Sequence, residues 1–123
     1  MKKKQTILVI EDNPQNMYLT RFLLEAHGYA VEEANNGRLG IEAASALRPD
    51  LILLDIQLPQ MNGYEVARAL KSDEALVDIP IVAVTSYAMA GDKQLGIEAG
   101  CVGYIEKPIN PDTFVAEMEE HLR

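Results

Sequence analysis

The feature that most constrains this chain is an alternation repeated five times. Short apolar segments fall at Thr6 to Ile10, Ala30 to Ala34, Leu51 to Leu54, Ile81 to Thr85 and Gly103 to Glu106, and stretches with helical spacing separate them. Antiparallel strands can be joined by tight turns, whereas parallel strands need long crossovers. Strand and helix in regular alternation therefore predict an α/β fold, with a parallel sheet, right-handed crossovers and helices on both faces. The run Leu51 to Leu54, four aliphatics leading straight into Asp55, has the character of a strand buried on both faces in the middle of such a sheet.

Five strands favour the flavodoxin-like (βα)5 doubly wound arrangement, order 2-1-3-4-5. The first helix is expected to bury Leu19, Phe22, Leu23 and Ala26 and to stop at Gly28; the last is expected to bury Phe114, Val115, Met118 and Leu122. Both open on Asn-Pro, at Asn13-Pro14 and Asn110-Pro111, which suits an asparagine N-cap followed by proline at the first helical position.

Residues 1–123 read as one domain with no internal repeat or linker, and the chain is long enough to bury about two-thirds of the surface it exposes when unfolded. That reading leaves no room for an output domain, and the ends at Met1 and Arg123 favour a complete protein. A formal charge of −8, with Lys2 to Lys4 as the one basic cluster, argues against direct binding of DNA or of an anionic membrane surface. No apolar stretch approaches the roughly 20 residues of a membrane span. Cys101 is the sole cysteine and is expected to be a small buried hydrophobe in a reducing, cytoplasmic compartment. His27 and His121 belong to no ligand-spaced motif and are read as surface residues. Tyr18, Tyr29, Tyr64 and Tyr87 read as packing or surface aromatics, Met17, Met61, Met89 and Met118 as core or loop filler, and Glu117, Glu119 and Glu120 as a solvated helix face whose charge opposes the helix dipole.

In open sheets of this type ligands bind beyond the carboxyl ends of the strands. Strand 1 ends in Glu11-Asp12, strand 3 in Asp55, strand 4 in Thr85-Ser86 and strand 5 in Lys107-Pro108. Acids brought within ~4 Å of one another repel by a few kcal/mol per pair at an effective dielectric near 20, so a proton or a cation must be shared among them. Oxygen donors alone select a hard ion, and Mg²⁺ fits because it accepts few protein ligands and also takes phosphate oxygens. Glu11 and Asp12 form the metal-side pair, with Asp55 between metal and lysine. Lys107 and the Thr85 hydroxyl are placed to hold a transferring phosphoryl group, and a carboxylate that attacks phosphorus yields an acyl phosphate.

The segments VIEDNPQNM, DLILLDIQLPQMNGYEV, IVAVTSYAM and GYIEKPI together resemble the receiver domain of bacterial response regulators over essentially the whole chain. Within that family the chain is most similar to stand-alone DivK-type regulators and to receivers of hybrid histidine kinases. The resemblance implies that Asp55 accepts phosphate from a phosphohistidine on a sensor histidine kinase or histidine phosphotransfer protein. It implies that Glu11, Asp12, Asp55 and the backbone carbonyl of Gln57 hold Mg²⁺, and that Thr85 and Lys107 contact the phosphoryl group. Tyr104 matches the family's switch aromatic, whose ring moves inward as Thr85 shifts. The resemblance also implies a cis Lys107-Pro108 bond and a turn at Asn62-Gly63 in which glycine takes a positive φ. Ser86 departs from the family's common alanine but stays small enough for a donor to approach. Gln57 and Tyr87 flank the position where the family tunes dephosphorylation.

A switch of this kind needs a movable element. Gly91 and Gly96 each cost a helix about 1 kcal/mol relative to alanine, so helix 4 is expected to be short and easily shifted. The face made by helix 4, strand 5 and helix 5 is then the expected readout for a downstream protein target, on a monomer or weak dimer. Three rivals fit less well. A haloacid-dehalogenase-like phosphohydrolase uses Asp-x-Asp, but Gln57 holds the second position. A flavin binder needs a hydroxyl- and glycine-rich first loop, but this one is EDNPQN. An unphosphorylated pseudo-receiver would not keep Glu11, Asp12, Asp55, Thr85 and Lys107 together. Excision from a hybrid histidine kinase is the alternative origin for the same domain.

Overall fold

The computed structural model describes residues 4–86 and 90–122, with the side chains of 90–92 set aside. Strands β1 (Thr6–Ile10), β2 (Ala30–Ala34), β3 (Leu51–Asp55), β4 (Ile81–Thr85) and β5 (Gly103–Glu106) alternate with helices α1 (Pro14–Ala26), α2 (Gly37–Leu47), α3 (Gly63–Lys71), α4 (Ala90–Ala99) and α5 (Phe114–Glu119). All strand pairs are parallel and the order is β2-β1-β3-β4-β5, the doubly wound arrangement that the alternation predicts.

The period-2 geometry of a strand divides the core in two. Ile7, Val9, Leu51, Leu53, Val82, Val84 and Ile105 point to one face, where Met17, Leu23 and Leu24 of α1 and Phe114, Val115 and Met118 of α5 cover them. Leu8, Ile10, Ile52, Leu54, Ile81 and Ala83 point to the other, under Ala44 of α2, Val66 and Leu70 of α3, and Ala99 of α4. Every residue of β3 and of β4 is buried, which explains why these two strands are continuous apolar runs.

Several expectations change in detail. Helix α1 starts as predicted, with the Asn13 side chain accepting from the Asn16 N–H and Pro14 in the first turn, and Gly28 follows its end at φ 88°. Its buried face, however, is Met17, Thr20, Leu23 and Leu24. Phe22 and Ala26 point outward, and Phe22 stacks instead on exposed Tyr18 at a centroid distance of 6.4 Å. Asn110-Pro111 belongs to a turn before α5: Asn110 Oδ1 accepts from the Asp112 N–H, and Thr113 takes the N-cap position without a side-chain bond.

The Asn62-Gly63 expectation also fails, because Asn62 is the N-cap of α3 in a reciprocal bond with Glu65. The positive φ in this loop falls on Gln60, at 67°. Glycine is needed at 63 for a different reason: a Cβ there would lie 2.6 Å from the Ile56 Cα and 2.7 Å from the Asp55 carbonyl oxygen. Helix α4 runs for ten residues, against thirteen for α1 and eleven for α2, with Gly91 and Gly96 inside it.

Cys101 is buried and His27 exposed, as read, whereas His121 is half-buried over Gly103. Glu119 is not merely solvated, since it accepts a hydrogen bond from the Tyr29 hydroxyl across the gap between α5 and the start of β2. Tyr87 and Met89 lie outside the described residues. No described helix is long and apolar enough to cross a membrane.

Candidate functional site

Four strand ends converge at the carboxyl edge of the sheet. Residue Glu11 follows β1 and is buried, with its Oε2 accepting from the Asn13 N–H at 3.1 Å. Beside it Asp12 is exposed. Asp55 closes β3 and Thr85 closes β4, only 3% and 1% exposed. After β5 the chain continues its ladder through the Lys107 N–H, which donates to the Thr85 carbonyl at 2.8 Å, and the Lys107-Pro108 bond is cis.

Carboxylate oxygens of Glu11, Asp12 and Asp55 all lie within 4.8 Å of one another. The Lys107 ammonium sits among them, 3.0 Å from Glu11 Oε1 and 3.3 Å from Asp55 Oδ1. Asp55 Oδ1 also accepts the Gln57 N–H at 2.9 Å. One ammonium does not offset three crowded acids. Burial first, then the neighbouring Asp55 carboxyl, pushes the Glu11 carboxyl up to about 7, against the smaller opposing pull of the Asn13 N–H and Lys107. Such a group holds either a proton or a cation, and an all-oxygen set of this kind suits a hard divalent ion.

The sequence-derived residues Glu11, Asp12, Asp55, Thr85 and Lys107 thus come from four separate strand ends to one rim. Tyr104 lies apart from that cluster, half-buried on β5, where its ring borders Gly96 and the Lys93 ammonium stands 6.0 Å from its centroid. With Ile97, Cys101 and Val102 these residues line a cavity of about 210 Å³ between α4 and β5. Two features escaped sequence reasoning. The Gln57 side chain reaches across to the strand 4 end, its Oε1 accepting the Ser86 N–H at 3.3 Å. On the other flank, Pro14, Met17, Tyr18, Arg21, Phe22, Glu25 and Glu33 line a groove of about 370 Å³ on α1. The exposed i, i+4 spacing of Tyr18 and Phe22 was the available signal for the groove; no local pattern announces the Gln57 contact.

A parallel five-stranded sheet with helices on both faces and this acid-and-lysine rim at its carboxyl edge defines a domain of the CheY-like class. The chain belongs to the response regulator receiver domain family, whose sequence pattern matches residues 7–119. It is 43% identical over 118 residues to the polar-differentiation response regulator DivK of Brucella anthropi, covering 96% of each chain, and 42% identical to DivK of Brucella melitensis with the same coverage. Among solved structures it resembles the chemotaxis protein CheY4 of Vibrio cholerae, at a TM-score of 0.94 and 28% identity over 98% of this chain and 100% of that one. It likewise resembles the receiver domain of a sensor histidine kinase from Pseudomonas aeruginosa, solved with a magnesium ion in its active site cleft, at a TM-score of 0.88 and 31% identity over 97% and 98% of the two chains. Domains of this family are signalling switches rather than classical enzymes.

Proposed function

We propose that this chain is a single-domain response regulator that accepts a phosphoryl group on Asp55 from a phosphohistidine of a sensor histidine kinase or histidine phosphotransfer protein. The observation that carries this reading is the Lys107 ammonium held between Glu11 and Asp55, at the point where the three acids meet. A carboxylate oxygen of Asp55 attacks the phosphorus; the P–O bond forms as the donor's P–N bond breaks, and the imidazole nitrogen keeps the electron pair and takes up a proton. Glu11, Asp12, Asp55 and the Gln57 carbonyl are the residues that would hold Mg²⁺, a fit supported by the all-oxygen donor set and by the crowding that raises Glu11. Bound there, the ion neutralises charge on the phosphoryl oxygens.

Lys107 moves its ammonium from Glu11 to the new phosphoryl oxygens, and the Thr85 hydroxyl donates to another. Attack of water on the phosphorus returns orthophosphate and the free carboxylate, slowly, so that the signal persists. The added negative charge biases the ends of β4 and β5, with Tyr104 as the moving ring. Ile97 and Val102, exposed beside that ring, support the α4, β5 and α5 face as the place where a downstream protein docks on a monomer or weak dimer. A complete 1:99 to 99:1 shift would take about 5.5 kcal/mol of differential stabilisation, so a partial shift is the natural regime. The cytoplasm is the compartment that goes with this reading.

A second reading, that the chain is a receiver from a hybrid histidine kinase, is favoured by the likeness to the Pseudomonas aeruginosa kinase domain. Incubation with acetyl phosphate and Mg²⁺ tests the shared chemistry: one phosphoryl mass is gained by the natural protein and none by Asp55→Asn. Labelling that survives the substitution refutes the site.

A further inference from the structure

Gln57 touches both sides of the rim. Its backbone N–H donates to Asp55 Oδ1 at 2.9 Å, while its side-chain Oε1 accepts the Ser86 N–H at 3.3 Å. Asp55 and Val84 are register partners on adjacent strands, so this bridge spans the mouth directly above the carboxylate that the proposed function phosphorylates. We propose that Gln57 is a positioning residue whose amide oxygen stands in, in the unphosphorylated molecule, for a phosphoryl oxygen at the Ser86 N–H.

The inference rests on Asp55 being the acceptor. A phosphoryl group on Asp55 brings three strong acceptor oxygens to the rim, and the Ser86 N–H is the first backbone donor past Thr85. A charged acceptor makes a stronger hydrogen bond than a neutral amide oxygen, so the phosphoryl oxygen displaces Gln57 and the side chain swings out. The placeholder keeps the end of β4 arranged before the donor arrives, and its release is a cost that phosphorylation must meet. Side-chain length matters. Asparagine is one methylene shorter and cannot bridge the two strand ends, whereas glutamate bridges them with a charge that repels the incoming group.

The test uses beryllofluoride with Mg²⁺ as phosphoryl analogue, on natural protein, Gln57→Ala, Gln57→Asn and Gln57→Glu. Removing one competing neutral hydrogen bond in Gln57→Ala and Gln57→Asn tightens analogue binding by about two- to fivefold, and Gln57→Glu weakens it. In the free proteins the Ser86 amide resonance moves in Gln57→Ala; with analogue bound it converges with that of the natural protein, since both then serve the same acceptor. A residue that only supported the loop would change thermal stability without this convergence. Equal analogue affinity across the set, or a Ser86 resonance indifferent to Gln57→Ala, overturns the inference. Acetyl phosphate labelling separates the two levels: if the natural protein takes no phosphoryl group on Asp55, the acceptor reading falls and this inference with it, whereas labelling with flat affinities sinks the Gln57 role alone.

Discussion

The Lys107 ammonium stands 3.0 Å from Oε1 of Glu11, and the same ammonium lies 3.3 Å from Asp55 Oδ1. It is the one cation within salt-bridge distance of either acid among the described residues, and it lowers the Glu11 pKa against burial. Lys107→Met therefore raises the Glu11 titration midpoint further, which NMR of the Glu11 side chain reads directly. Breaking a buried pair costs about 3–5 kcal/mol when the orphaned charge persists. Here Glu11 can take up a proton instead, so the loss in urea denaturation falls below that range while acetyl phosphate labelling drops steeply.

Glu11 also sets a pH dependence. Its folded pKa is raised from the ordinary 4.5 to about 7, so the folded state binds a proton more tightly than the unfolded chain. The stability this group contributes is fully present below about pH 4.5 and is lost as pH rises through 7. A metal must displace that proton. Isothermal titration is expected to show Mg²⁺ affinity falling as pH drops from 8 to 6, with proton release on binding that grows toward the acid end. Glu11→Gln removes this linkage.

Gly63 is held against backbone as well as against the Ile56 side chain, since the added Cβ meets the Ile56 Cα, the Asp55 carbonyl oxygen and the Ile56 Cδ1. Gly63→Ala must push the loop above Asp55 outward. Overpacking of this kind costs about 1–3 kcal/mol. The urea midpoint of Gly63→Ala falls accordingly, and phosphorylation slows with it because the Gln57 N–H that orients Asp55 lies in the displaced segment.

Tyr18 and Phe22 are largely exposed at 65% and 59%, yet stack on each other beside a groove that shares Pro14, Met17 and Glu33 with the cavity next to Glu11 and Asp12. A macromolecular donor docked over this helix would touch the pair on its way to Asp55, whereas a small donor would not. Phe22→Ala is expected to change stability by less than about 0.5 kcal/mol. It slows transfer from a phosphohistidine protein and leaves acetyl phosphate labelling intact. Equal slowing with both donors would contradict a docking role.

The strands were legible because burial on two faces writes itself as unbroken aliphatic runs, and the rim because each run ends in a group too polar to continue it. Apolarity alone assigns Phe22 rather than Thr20 to the buried face of α1; the helix turns Thr20 inward instead. At Asn62 the signal existed, an asparagine followed three residues later by Glu65, which is the capping-box spacing. The Gln57 contact with Ser86 had none. It joins two loops whose conformations are set by the strands beneath them, 29 positions apart in sequence.

Under the proposed function Asp55, and no other acid of the rim, carries the phosphoryl group. Borohydride reduction converts an aspartyl phosphate to homoserine, and peptide sequencing after acetyl phosphate treatment locates it. Homoserine at position 55 alone is the predicted result; homoserine at position 12, or none in any peptide of a protein shown to be phosphorylated, would contradict the account.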